Sequence, residues 1–192
     1  MKTIGITGGI GSGKTLVCSV FQSLGIPIFH ADDVGKELYH RKPELTQLIA
    51  DQLDNALMVN GKLNLAALAA LVFNNDDALK KLNGIVHPFV AEEFMLWKKR
   101  QHSKYVIREA AILFESNSAK DCDQVVLVTA DQHERIRRVK QRSHLSEVQI
   151  RARMDKQWTD DQKRKLADYE IENSGQKLIL PAIYQLHQLF MV

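Results

Sequence analysis

The chain has 192 residues, a length that suits one compact domain with room for an inserted subdomain. Hydrophobic residues make up 45% and charged residues 26%, the balance of a soluble globular protein whose core needs no disulfides. The net charge of +3 is too small to argue for nucleic acid but is compatible with an anionic ligand, and no apolar run approaches the roughly 18–20 residues of a membrane span.

Thr3-Ile4-Gly5-Ile6-Thr7 reads as a short apolar strand entered directly from Met1, so no signal segment is expected. Lys14 to Leu24 has helical spacing at Val17, Val20, Phe21 and Leu24; Gly25 ends it, and Ile26-Pro27-Ile28-Phe29 reads as a second strand. Such a βαβ unit implies a parallel sheet with the crossover helix on one face. From Val34 to His102 strand signals vanish. That stretch reads as several helices with a turn at Val59-Asn60-Gly61-Lys62. Its last helix carries Leu79, Leu82, Val86, Phe89, Phe94 and Trp97 and is expected to be interrupted near Pro88. Tyr105-Val106-Ile107 and Val125-Val126-Leu127-Val128 then read as buried strands. From about Arg142 to Arg164 the chain is charged and helical, Tyr169-Glu170-Ile171-Glu172 reads as the last strand, and an amphipathic helix follows. Cys18 and Cys122 fit no metal-ligand spacing and read as reduced thiols of a cytoplasmic protein. Trp97 and Trp158 read as packing residues.

Gly8-Gly9-Ile10-Gly11-Ser12-Gly13-Lys14-Thr15 satisfies the phosphate-binding pattern G-x-x-x-x-G-K-[ST] completely, between a strand and a helix. Glycines let the backbone wind around a phosphate with its N–H groups turned inward, and the helix adds the positive end of its dipole. In this pattern Lys14 reaches the β- and γ-phosphates of ATP, and the Thr15 hydroxyl holds Mg²⁺. A GTPase would add Asn-Lys-x-Asp and Asp-x-x-Gly, and neither occurs. A motor would show a strong apolar strand ending in aspartate; the nearest candidate, Tyr105 to Glu109, is interrupted by Arg108. The second strand leads into His30-Ala31-Asp32-Asp33, where a carboxylate can accept a proton from an attacking hydroxyl. The alternative for Asp32 or Asp33 is a helix N-cap.

With this loop, the chain resembles the dephospho-CoA kinase family over essentially its whole length. That family has a Thr-Gly-Gly-Ile-Gly-Ser-Gly-Lys-[Ser/Thr] loop and a strand ending Asp-Ala-Asp; here His30 replaces the first acid and Asp32 matches the catalytic second. Leu82-Asn83-Gly84-Ile85-Val86-His87-Pro88 is similar to the family's Leu-x-x-[Ile/Leu]-x-His-Pro element. Ile112-Leu113-Phe114-Glu115 is similar to its Pro-Leu-Leu-Phe-Glu segment, with Ala111 in place of proline. Arg138 and Arg142 match a paired-arginine helix, and Gln157 and Asn173-Ser174-Gly175 also fit. Leu65 stands where the family commonly has arginine.

The resemblance implies a three-layer α/β, nucleoside-monophosphate-kinase-like P-loop core of about five parallel strands at 1–33, 103–141 and 166–192. It adds a helical acceptor insert at 34–102 and a lid at 142–165. It implies transfer of the γ-phosphoryl of ATP to the ribose 3′-hydroxyl of dephospho-CoA, giving CoA and ADP in the last step of CoA synthesis. By itself the residue pattern reaches only ATP, Mg²⁺, an acidic base, a helical acceptor domain and a mobile lid. The expected catalytic residues are Lys14, Asp32 and Arg138. ATP falls to Gly9, Ile10, Gly11, Ser12, Gly13, Lys14, Thr15 and Arg142, and Mg²⁺ to Thr15. The acceptor falls to Asp32, His87, Leu113 and Glu115.

Plainer alternatives stand beside three of these. Arg138 could belong to an exposed basic face with Arg135, Arg137 and Lys140. His87 could satisfy a carbonyl freed by Pro88, and Glu115 could be an ordinary carboxylate at a strand end. ATP and dephospho-CoA are the expected partners of a monomer or weak homo-oligomer, with no nucleic acid or membrane.

Overall fold

The computed structural model describes residues 1–192 apart from the side chain of Asn74. β1 (Lys2–Thr7) is buried from Thr3 onward and leads through the glycine-rich loop into α1 (Lys14–Ser23). Gly25, at φ 83°, closes that helix: its N–H donates to the Gln22 carbonyl at 2.9 Å, and the Ile26 N–H donates to Phe21 at 3.1 Å. This pair of bonds requires a left-handed residue after the helix, which glycine adopts without strain. β2 (Ile28–His30) starts later than the apolar run suggests. The Ile26 N–H is already committed to the helix end, and Pro27 has none to give.

Next come α2 (Ala31–Arg41), α3 (Pro43–Gln52), β3 (Met58–Val59), β4 (Lys62–Leu63), α4 (Leu65–Asn74) and α5 (Asp76–Lys98). β5 (Tyr105–Glu109), β6 (Gln124–Thr129), α6 (Gln132–Arg142), α7 (Glu147–Asp155), α8 (Asp160–Arg164), β7 (Tyr169–Glu172) and α9 (Leu180–Met191) complete the chain. The chain divides into two compact units, residues 1–30 with 101–192, and residues 31–100.

The first unit is a three-layer α/β structure. Its five strands are all parallel in the order β2-β5-β1-β6-β7, with β1 between β5 and β6. Ile4, Ile6, Tyr105, Ile107, Val126 and Val128 turn one face toward Val17 and Phe21 of α1 and Ile183 and Phe190 of α9. On the other face Gly5 leaves room for Leu113, whose Cδ2 would lie 2.6 Å from a Cβ added there. α8 contacts β6, and its Lys163 bonds to the Ala111 carbonyl in the segment that carries Leu113.

In the second unit α5 is the spine, and α2, α3 and α4 all pack against it. The expected break near Pro88 does not occur: α5 runs unbroken for 23 residues. Proline removes one hydrogen bond, to the carbonyl of Gly84. Burial of Leu82, Ile85 and Val86 before it and Val90 and Phe94 after it holds the helix together. A second correction concerns strands. The turn at Asn60-Gly61 closes a hairpin of β3 and β4, with φ of 50° and 73° at its two central residues. Asn-Gly suits that geometry, but two-residue strands are too short to show alternation in sequence.

Candidate active site

The loop between β1 and α1 is held in its phosphate-binding shape from several sides. Gly11 and Gly13 take φ of 80° and 100°. A Cβ on Gly11 would lie 2.5 Å from the Arg135 carbonyl oxygen, and one on Gly13 would lie 2.0 Å from Asn173 Nδ2. Only glycine fits at either position. Asn173 Nδ2 donates to the Ser12 carbonyl at 2.9 Å, and Arg135 Nε donates to the Ile10 carbonyl at 2.9 Å. The Ile10 N–H donates to Gln157 Oε1 at 2.8 Å, and Ile10 packs on a cluster of Ile136, Val139 and Ile150 from α6 and α7. Ser12 Oγ is fully buried and makes no hydrogen bond among the described residues.

Lys14 folds back over this loop. Its Nζ donates to the Gly8 carbonyl at 2.9 Å and stands 3.9 Å from Glu109 Oε1. The other Glu109 oxygen lies 3.1 Å from His30 Nδ1. Glu109 ends β5, the strand beside β1, and is only 8% exposed, so the site contains a buried carboxylate that sequence reasoning passed over. Arg108 had obscured it. In the fold Arg108 is buried and pairs with Asp121 at 3.4 Å, because successive strand residues face opposite sides. Thr15 is exposed in the first turn of α1.

Arg138 lies at the loop, with each of its three guanidinium nitrogens donating a hydrogen bond. Nε donates to Glu134 at 2.8 Å, Nη1 to the Ser12 carbonyl at 3.3 Å and Nη2 to the Asn173 carbonyl at 2.7 Å. Hydrogen bonds from Arg137 first, and then from Arg138, hold the Glu134 carboxyl down to about 2. Arg142 is exposed in the last turn of α6. Arg151 pairs with Glu147 at 2.8 Å, and Arg164 pairs with Glu170.

Glu115 Oε1 receives Lys163 Nζ at 2.9 Å and the Trp158 N–H at 2.9 Å, while Oε2 is buried without a hydrogen-bond partner among the described residues. Lys163 has no exposed surface and also donates to the Ala111 carbonyl at 2.7 Å. Glu115 therefore fastens α8 and the chain before it to the segment after β5. The Leu113 side chain is completely buried under Gly5. Trp158 is 40% exposed, and its backbone makes the tie to Glu115.

Asp32 and His87 lie in the second unit. Asp32 is exposed in the first turn of α2, two residues after His30, and so is Asp33, which pairs with Lys36 at 2.8 Å. Both lie inside the helix rather than at its cap. His87 is half-buried on α5, next to Pro88.

Among the described residues no three His, Cys, Asp or Glu side chains cluster as a metal site. The oxygen donors at hand, the Thr15 hydroxyl and carboxylates, suit a hard cation carried in on phosphates, since Mg²⁺ takes few protein ligands and keeps water.

The sequence profile of dephospho-CoA kinase matches residues 2–178. A dephospho-CoA kinase of Bacteroides fragilis is 35% identical over 184 residues, which span 95% of this chain and 90% of that protein. A crystal structure from Thermus thermophilus matches with a TM-score of 0.81 at 34% identity, covering 98% of this chain and 95% of the other. The dephospho-CoA kinase from Campylobacter jejuni matches with a TM-score of 0.65 at 26% identity, covering 100% and 98%. On its phosphate loop, its sheet and these likenesses over nearly its full length, the chain belongs to the dephospho-CoA kinase family.

Proposed function

We propose that the chain performs its family's reaction, the ATP-dependent phosphorylation of dephospho-CoA, with Lys14, Arg138 and the loop serving ATP and Asp32 serving the acceptor. The observation that carries this reading is the Lys14 ammonium folded onto the loop at 2.9 Å from Gly8 with a buried glutamate behind it. The γ-phosphate offers Lys14 a better partner than a neutral carbonyl, because a charge-assisted bond is roughly twice as strong. The ribose 3′-oxygen attacks the γ-phosphorus and the bond to the β,γ-bridging oxygen breaks, so ADP leaves with that electron pair. The hydroxyl proton passes to the Asp32 carboxylate and then to water.

Little else is covalent, so the loop N–H groups and Lys14 act by stabilising charge that gathers on the phosphoryl oxygens. Mg²⁺, when bound at Thr15, would supply further charge neutralisation on the β- and γ-oxygens. Arg138 steadies the loop beside the nucleotide, and Arg142 is exposed and available to ATP. His87 and the segment around Leu113 and Glu115 complete the acceptor side of this reading, Leu113 and Glu115 by shaping it from within. Residues 142–165 act as a lid. A cytoplasmic monomer or weak homo-oligomer fits this chemistry; among the described residues no helix is long and apolar enough to cross a membrane.

A coupled ADP-release assay with dephospho-CoA, followed by phosphorus NMR of the product, tests the reaction. The expected result is one new phosphomonoester on the ribose 3′-oxygen. With AMP as the acceptor in the same assay, faster turnover to a product extended at the 5′-phosphate would mean a nucleotide kinase instead. The lid has its own test: amide exchange over residues 142–164 should slow when an ATP analogue and dephospho-CoA bind together. Unchanged exchange there would remove the lid from the mechanism.

A further inference from the structure

A cleft of about 400 Å³ opens within the second unit, between the last turn of α2, the first turn of α3 and the β3–β4 hairpin. Tyr39, His40, Pro43, Thr46, Lys62, Leu63 and Leu65 line it, a wall about equally polar and apolar. We propose that this cleft receives the pantetheine arm of dephospho-CoA, the uncharged diamide chain beyond the pyrophosphate; the inference rests on the kinase reading above.

Position supports it first. Tyr39 follows Asp32 by seven residues on α2. Seven residues is close to two turns, so both project from one helix face about 10 Å apart along the axis. If the 3′-hydroxyl lies at Asp32, a group two turns away must be remote on the acceptor. Adenine leaves the ribose at C1′, two carbons from the carbon that bears the reacting oxygen. The arm begins only after the 5′-carbon and two phosphates, so the arm fits the longer reach.

Chemistry supports it second. Amides separated by methylene and methyl groups need hydrogen-bonding groups interleaved with apolar surface. Pro43, Leu63 and Leu65 provide the apolar part. Thr46 already donates its hydroxyl to the Pro43 carbonyl at 2.9 Å, which leaves that oxygen to accept from an amide N–H. Burial pushes the Tyr39 phenol up, so it stays neutral and able to donate to an amide carbonyl. Lys62 is exposed at the cleft, where the pyrophosphate end of the arm can meet its ammonium. The volume lies within the roughly 300–1,000 Å³ usual for small-molecule sites.

Leu65→Trp tests the proposal. Leu65 is 37% exposed, so the larger ring can fill the cleft without disturbing a core. The KM for dephospho-CoA should rise at least about tenfold. The KM for ATP should not move. AMP, which has the ribose and adenine but no arm, should keep its competitive inhibition constant against dephospho-CoA at saturating ATP. Tyr39→Ala should repeat this pattern, and Tyr39→Phe should restore most of the apolar share. An unchanged KM for dephospho-CoA overturns the proposal. Equal weakening of AMP also overturns it, since adenine would then be the occupant. If the unaltered protein does not phosphorylate dephospho-CoA, the kinase reading is what has failed.

Discussion

Lys14→Ala should lower kcat by roughly 10³ or more while the protein still melts in one cooperative transition. The substitution removes the ammonium that bonds to Gly8 at 2.9 Å and faces Glu109 at 3.9 Å. In the empty protein that costs the hydrogen bond to Gly8, on the order of 1 kcal/mol, together with a cation facing the buried Glu109, which keeps its contact with His30 at 3.1 Å. Alanine also favours the first turn of α1. In the transition state the loss is far larger, because charge gathers on the phosphoryl oxygens where the ammonium is missing. Steady-state kinetics beside a thermal melt separate the two effects. Near-normal turnover by a folded variant would end the role assigned to Lys14.

Asp32→Asn should cost roughly 10²–10⁴ in kcat and leave the KM for ATP almost unchanged. Asparagine keeps the shape and an accepting oxygen but cannot take the hydroxyl proton. Asp32 is exposed in the first turn of α2, where its carboxylate contributes a favourable helix-terminus charge, about 0.3–1 kcal/mol. A pre-steady-state measurement of ADP formation should show the defect in the first turnover. If turnover stays within about threefold of the parent, the base lies elsewhere. Glu109 would then be the next carboxylate to consider, given its 3.9 Å approach to Lys14.

Local pattern carried much of the fold. The phosphate loop, the helix ended by Gly25 and the apolar strands are contiguous features, each decided by residues a few positions apart. The support of the loop is not local. Gln157 lies 147 positions from Ile10, and Asn173 lies 161 from Ser12; both matched the family pattern, but only the fold assigns them their contacts. Arg135 is a plainer omission. In sequence it is one cation on a basic helix, and nothing there marks it as the residue whose side chain holds Ile10 and whose backbone abuts Gly11. Glu109 was within reach, since it ends an apolar strand beside the loop. A strand's two faces must be separated before a neighbouring arginine is allowed to disqualify it.

The contact of Ile10 with α7 reaches beyond the loop's shape. Opening the segment after α6 would have to break the Ile10–Gln157 bond and uncover the apolar surface shared with Ile136, Val139 and Ile150. The nucleotide loop and that segment therefore share one equilibrium. Whatever orders the loop around phosphates favours the docked segment, and by reciprocity whatever favours docking raises affinity for ATP. Sequence drift in α7 can thus tune ATP affinity through residues that never touch the nucleotide.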